Sequence, residues 1–412
     1  MEELASNRED PRSPAAIFPT HFHSLDGLRG VAALSVVFSH WQHFFFHGTE
    51  LTHFAPEQQP LYSLFSFLYS DGWRAVDLFF CLSGFIFYWL YSEKISRREA
   101  SPRDFFVLRF SRLYPLHFVT LLFVAAGQLL MMWSQGAYFV YPCNDLLHFG
   151  LQTVFASDWG FTRGNSFNGP IWSVSVEILL YLVFLFTSLF NIRRLWQLAL
   201  LSFCGSLLIQ FGNQDVGRGA ISFFIGGIVY GIFVYLSRLN PSRASRRCLG
   251  VFAMLMWIFI PLNSQHNLLY RIYRTRLWSE RMNWRGKDVA GHFLLLLPSF
   301  SFEFFLFPLT ILALALWEAK CDGLSKRWAF LGQISYSSYL LQFPLQMVIA
   351  GIAITAAVPK TFFNTGFSLF IFFGILIPLS WCSYQMFERP VQTWIRGWAI
   401  RRGLVVQAAP VS

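Results

Sequence analysis

Residues 25–40 read LDGLRGVAALSVVFSH, a run apolar enough to enter a bilayer that still carries Asp26 and Arg29 at its start and His40 at its end. Read as a helix, the step from Arg29 to His40 sweeps about 1,100°, within about 20° of three full turns, and rises roughly 16 Å. The two side chains therefore share one face. Gly27, Gly30 and Ala33 add a stripe of small residues that lets a neighbouring helix approach closely. Asp26 lies three residues before Arg29, where the two can pair. Taken singly, each charge has an ordinary explanation: an arginine snorkelling to the headgroups and an imidazole in the interface. His43 and His47, in the WQHFFFH that follows, compete for any role given to His40.

The same apolar texture recurs along all 412 residues, of which 55% are hydrophobic, 19% aromatic and only 13% charged. That composition lies outside the usual range for soluble domains. The expected fold is all-α, a polytopic integral membrane bundle of about ten helices. Spans are expected near 25–46, 73–92, 114–134, 168–190, 195–211, 219–236, 249–263, 292–316, 330–352 and 367–387, most of them close to the roughly 17 to 25 residues that cross a hydrocarbon core. The expected organisation is an N-terminal tail over 1–23, a transmembrane domain over 24–392 and a basic tail over 393–412. The polar N-terminus is not followed by a short apolar core with a small-residue cleavage site, so the first span reads as a start-transfer anchor.

Charge sets the expected orientation, with both termini cytoplasmic. With the N-terminus inside, the inner tails and loops hold 21 Lys/Arg, whereas the outer side holds Arg74, Arg163, Arg218 and Lys360 plus one basic loop over 264–291. Either the seventh span is misplaced, or that loop, with Arg271, Arg274, Arg276, Arg281, Arg285 and Lys287, is basic because it meets something anionic, which is the favoured expectation. The net charge of +10 is thus accounted for by topology and anionic lipid, and nucleic acid is not implied. Six cysteines stand apart with no CxxC pair, which argues against a zinc site or a disulfide framework. No internal repeat or inverted pair of broken helices marks a transporter.

Three further stretches carry chemistry. WRAVDLFFCLSGFIFYWL buries Asp77 near the start of the second span, followed by Ser83; an intramembrane carboxylate usually has a partner, and the ordinary reading is a structural ion pair. NGPIWSVSVEILLYLVFLF places Trp172, Ser173 and Glu177 within two turns, with Glu177 one turn from Ser173, so that both can face one cavity. RDFFVLRFSRLYPLHF closes the loop before the third span; its Arg109 and Arg112 are three apart and, if helical, suit bidentate binding of phosphate. Their ordinary reading is positive-inside charge.

Taken in order, LDGLRGVAALSVVFSH, VDLFFCLSGFIFYWL, FVLRFSRLYPLHF, GPIWSVSVEILLYL, ISYSSYLLQFP and FERP resemble the membrane-bound acyltransferase 3 family, over about residues 24–392. Members O-acylate sugars, lipopolysaccharide, exopolysaccharide and some small natural products. The resemblance rests most on Arg29 and His40 as an Arg-x10-His pair and on Arg109 and Arg112 as Arg-x-x-Arg. It implies a multi-pass protein, expected in a bacterial inner membrane. It further implies an acyl-coenzyme A donor (acetyl-CoA above all) and a carbohydrate or polysaccharide acceptor, with no permanently bound cofactor or metal. In that frame His40 is the catalytic base, Glu177 or Asp77 orients it, Arg109 and Arg112 hold coenzyme A phosphates, and Arg29 contacts the donor or the developing oxyanion. Trp172 and Ser173 are expected at the substrate. One departure stands out: many members have histidine where this chain has Gln342. His21 and Asp26 form an H-x4-D pair like that of glycerolipid acyltransferases, a spacing that arises readily by chance and is set aside. The competing readings are a transporter or flippase of a glycan or lipid intermediate, and an acyltransferase acting on a small natural product.

Overall fold

The computed structural model describes residues 21–52, 54–162, 164–274, 297–298, 300–320 and 329–403. About four fifths of the described residues are helical. The helices are, in chain order, α1 (His23–Ser39), α2 (Tyr62–Asp71), α3 (Ala75–Phe87), α4 (Glu93–Ser96), α5 (Pro102–Gln135), α6 (Leu146–Thr153), α7 (Trp172–Leu189), α8 (Leu195–Gln210), α9 (Gln214–Leu239), α10 (Arg243–His266), α11 (Leu268–Arg274), α12 (Phe307–Glu318), α13 (Ala329–Gln333), α14 (Ser335–Thr355), α15 (Gly366–Ser383) and α16 (Arg389–Arg401). The strands β1 (Phe46–His47) and β2 (Glu50–Leu51) pair antiparallel in one short hairpin.

Among the described residues, seven helical stretches are long and apolar enough to cross a membrane: Tyr62–Ser96, Pro102–Gln135, Gly169–Leu189, Gln214–Leu239, Arg243–His266, Ser335–Thr355 and Gly366–Arg401. α1 and α8 are shorter, and the stretch expected at 292–316 is only partly described. Large apolar side chains point outward from this bundle: Trp133 on α5 is 85% exposed and Met254 on α10 is 65% exposed. Polar side chains such as Gln128, Ser175, Gln342 and Gln346 are fully enclosed. Inside a lipid-facing shell, polar groups must find partners within the protein.

The first helix is anchored by a remote acid. Phe22 precedes α1 with no side-chain cap, and Glu318 at the end of α12 accepts the main-chain N–H groups of His23 (2.8 Å) and Ser24 (2.9 Å) and the Ser24 hydroxyl. This carboxylate satisfies donors that a helix start otherwise leaves open and complements its dipole. The expected small-residue face of α1 is used: a Cβ on Gly30 would lie 2.3 Å from the Leu331 side chain of α13. α3 and α9 cross more closely still. A Cβ on Gly84 would fall 1.9 Å from the Phe223 carbonyl, and one on Gly226 would fall 2.0 Å from the Cys81 carbonyl, so only glycine fits at either position.

Element limits depart from expectation in three places. The first span, expected over 25–46, leaves α-helix at Ser39 and continues as a 3₁₀ turn over His40–Phe45. Trp41 Nε1 donates to the Phe363 carbonyl at 2.9 Å and ties that turn to the segment before α15. Arg109 and Arg112 lie within α5 rather than in a loop; Ser101 caps this helix by accepting from Arg103 N–H, Pro102 occupies its first turn, and it runs on for 34 residues. At the other end of the chain, residues 393–401 of the expected tail continue α16, and Arg396 docks on α5 through Ser111 Oγ (3.3 Å) and the Leu108 carbonyl (3.4 Å). Residues 1–20 of the N-terminal tail, residues 404–412 and most of the basic loop, including Arg276, Arg281, Arg285 and Lys287, lie outside the described residues.

Candidate active site

Between α1, α3, α5, α7 and α14 lies a cavity of about 750 Å³, part of it open to the surface, lined among others by Arg29, Arg109, Arg112, Ser173, Glu177 and Tyr339. Five of the eight residues singled out in the sequence meet here, from three different helices. Three guanidinium groups face one cavity carboxylate. Arg29 also has Asp26 at 3.6 Å on its own helix, and among the described residues neither Arg109 nor Arg112 forms a salt bridge. The cavity is therefore built to attract an anion, and guanidinium forks suit phosphate.

Aromatic rings rather than acids hold Arg109. Its guanidinium carbon lies 4.3 Å from the Phe87 ring centroid and 5.4 Å from that of Tyr91, with Phe105 and Tyr181 at 5.9 and 6.0 Å. Its buried Nε has no partner. Cation–π contacts of this kind are worth about 0.5–2 kcal/mol each and leave the charge uncancelled. Glu177 accepts from Ser83 Oγ at 2.7 Å. Ser173 Oγ is 2.7 Å from the Tyr339 hydroxyl, which donates to the Pro170 carbonyl at 2.8 Å. That contact closes the wall of the cavity between α7 and α14.

His40 lies at the far end of α1 from Arg29, outside the lining of the cavity. Its Nδ1 is 3.3 Å from Gln342 Oε1, and its ring stacks on that of His43 with centroids 4.9 Å apart. Gln342 in turn donates from Nε2 to the carbonyl of Tyr339 at 3.0 Å. The wall residue Tyr339 and the partner of His40 are thus joined on one turn of α14. Neither expected carboxylate orients His40, because Glu177 is committed to the cavity and Asp77 to another cluster.

Asp77 is fully enclosed and accepts from Arg218 of α9 at 2.8 Å. Arg218 is stacked between Trp73 at 4.5 Å and Trp172 at 5.6 Å, and Asp215 stands 4.0 Å away. Trp172 therefore packs on the ion pair rather than lining the cavity. Sequence reasoning missed Gln346, which bonds His43 Nδ1 at 2.9 Å and donates to the His40 carbonyl at 3.1 Å; the available signal was Gln342 and Gln346 spaced one helical turn apart. The discounted pair His21 and Asp26 is hydrogen-bonded. With His23 the two bring ligand atoms within 4.8 Å of one another, but Asp26 already serves both His21 and Arg29.

Residues 22–384 match the acyltransferase 3 family model, described as an acyltransferase domain. Among individual proteins, the chain is 28% identical to the acyltransferase MdmB of Streptomyces mycarofaciens over 350 residues, 78% of each chain. It is 27% identical to the exopolysaccharide production protein ExoZ of Rhizobium meliloti (strain 1021) over 363 residues, 83% of this chain and 96% of the relative. A shorter match, 38% identical over 108 residues, covers 26% of this chain and 46% of protein 2 in the picA locus of Rhizobium radiobacter. No solved structure matches the chain. With the family model spanning nearly the whole helical bundle that carries this cavity, the chain is a membrane protein belonging to the acyltransferase 3 family.

Proposed function

We propose that this acyltransferase moves an acetyl or other short acyl group from acyl-coenzyme A to a carbohydrate hydroxyl, with His40 as general base. The observation that carries the reading is the cavity that gathers Arg29, Arg109 and Arg112 around a single carboxylate. Coenzyme A offers a pyrophosphate and a further phosphate, the chemistry those guanidiniums suit. Its extended pantetheine arm is comparable with the roughly 16 Å that eleven helical residues separate Arg29 from His40. Glu177, among the arginines, limits their mutual repulsion and can accept from a pantetheine amide N–H. His40 takes the proton of the acceptor hydroxyl as that oxygen attacks the thioester carbonyl.

The acceptor class rests on the similarity to a protein named for exopolysaccharide production. Family membership favours bond formation over transport as the work of the buried charges. The inward-facing arginines and the lysine and arginine bias of alternate loops support a donor site on the cytoplasmic side of a bacterial inner membrane. The test is mass spectrometry of surface polysaccharide from cells carrying the wild type or His40→Ala. The expected result is loss of the acyl mass increment with normal membrane insertion of the variant. Retained acylation would sink the assignment of His40.

A further inference from the structure

Both ends of the Gln342 amide are committed. Its Nε2 donates to the Tyr339 carbonyl at 3.0 Å, and its Oε1 faces His40 Nδ1 at 3.3 Å. A carbonyl oxygen only accepts, so the Tyr339 carbonyl fixes which end of the amide is NH₂, and the end turned to His40 can only accept. For that contact His40 Nδ1 carries the proton. A neutral imidazole protonated there keeps its lone pair on Nε2.

The same arrangement repeats one turn further along α14. Gln346 Nε2 donates to the His40 carbonyl at 3.1 Å, and its Oε1 accepts from His43 Nδ1 at 2.9 Å. The second amide thus grips the main chain of His40 while the first grips its ring. The His43 ring lies against that of His40 at 4.9 Å with an interplanar angle of 17°. Ring plane, backbone and tautomer are all set from one helix face.

We propose that Gln342 is a positioning residue that holds His40 in the Nδ1–H tautomer, making Nε2 the atom that takes the acceptor proton. This rests on the assignment of His40 as base. The acceptor O–H proton passes to Nε2, and the oxygen bonds to the acyl carbon. The carbon–sulfur bond then breaks, and the departing thiolate takes the proton from Nε2–H, leaving ester, free thiol and neutral histidine. A neutral amide suits this cycle because it does not stabilise the imidazolium as a carboxylate would, so the proton is readily returned. Among the described residues, the titratable neighbours of this pair are His43, Tyr141 with its ring 5.8 Å from that of His43, and Lys360, which donates to the Phe45 and Phe46 carbonyls. Gln342 and Gln346, the two side chains that α14 bonds to these rings, are both uncharged.

The test uses the full chain in everted membrane vesicles that retain the host glycan, supplied with acetyl-coenzyme A, with thiol release followed against pH. Gln342→Met should lower the maximal rate about tenfold or more while the KM for acetyl-coenzyme A stays within about twofold, because only the aim of the base is lost. Gln342→Glu, nearly the same shape, should move the acid limb of the rate profile up by about one pH unit or more, since a carboxylate favours the charged imidazole. A purely structural glutamine would not move that limb. Wild-type rate in the methionine variant, or an unmoved limb in the glutamate variant, overturns the role of Gln342. His40→Ala run alongside separates the two ideas: full activity there overturns the base itself, whereas an inactive His40→Ala with an unmoved Gln342→Glu limb overturns only the positioning.

Discussion

The arginine-lined cavity and the Asp77 cluster place similar charges in the same bundle, and they differ in how those charges are met. In the cluster, Asp77 is bonded to Arg218, Asp71 to Arg74 at 3.0 Å, and tryptophan rings cover the Asp77–Arg218 pair. In the cavity, Arg109 and Arg112 have no acidic partner at salt-bridge distance among the described residues, and Arg109 is held by rings instead. Charge taken out of water must be balanced by something. Where the protein supplies the balance, the charge ties helices together; where it leaves cations facing open space, a ligand is the natural counterpart.

The comparison can be broken in a graded series. The largest effect is expected at the chemical step: His40→Ala should cut acyl transfer about 10²–10⁴-fold, measured as labelled acetyl incorporated into membrane glycan at equal protein level. Next, Asp77→Ala should cost about 3 kcal/mol of stability by removing the enclosed partner of half-buried Arg218 and leaving it only the longer contact to Asp215. Thermal unfolding in detergent reads this, and the surviving protein should keep its KM for acetyl-coenzyme A. A rise in that KM with unchanged stability would reverse the two roles. Arg112→Ala should do the opposite, raising KM roughly 10-fold to 100-fold, equivalent to about 1.5–3 kcal/mol for a hydrogen bond to a charged group, with little change in melting.

The smallest effect concerns Asp158, in the loop before α7, whose carboxyl is pushed up to about 6 by burial from an ordinary value of 3.8. Because the folded chain holds this proton to higher pH than the unfolded one, its contribution favours the native state at low pH and is lost as pH rises from about 4 to about 6. Asp158→Asn should therefore raise the melting temperature at pH 7.5 by an amount worth about 1 kcal/mol and leave it nearly unchanged at pH 4.

Much of the site was legible because its signals are local. Arg29, Arg109, Arg112, Ser173 and Glu177 stood out as polar residues in apolar runs, and they converge on one cavity. The start of α5 was missed: Ser101 and Pro102 begin the helix twelve residues ahead of the span expected from 114 and so place Arg109 and Arg112 on it. What local pattern could not supply were partners distant in the chain. Gln342 is 302 positions from His40, and Arg218 is 141 from Asp77. No spacing rule connects residues so separated, and both Asp77 and Glu177 looked equally suited to hold the histidine.

Sequence alone determined that this chain is a helical membrane protein and which motif segments are candidates to carry its chemistry, since hydropathy, charge bias and intrahelical spacing depend only on neighbours in the chain. Tertiary structure alone decided which charges are spent on one another. It paired Asp77 with Arg218, left Arg109 and Arg112 facing a cavity, and gave His40 a glutamine instead of an acid. The reason is physical: a buried polar group is defined by whichever partner the packing of other helices brings within about 3 Å.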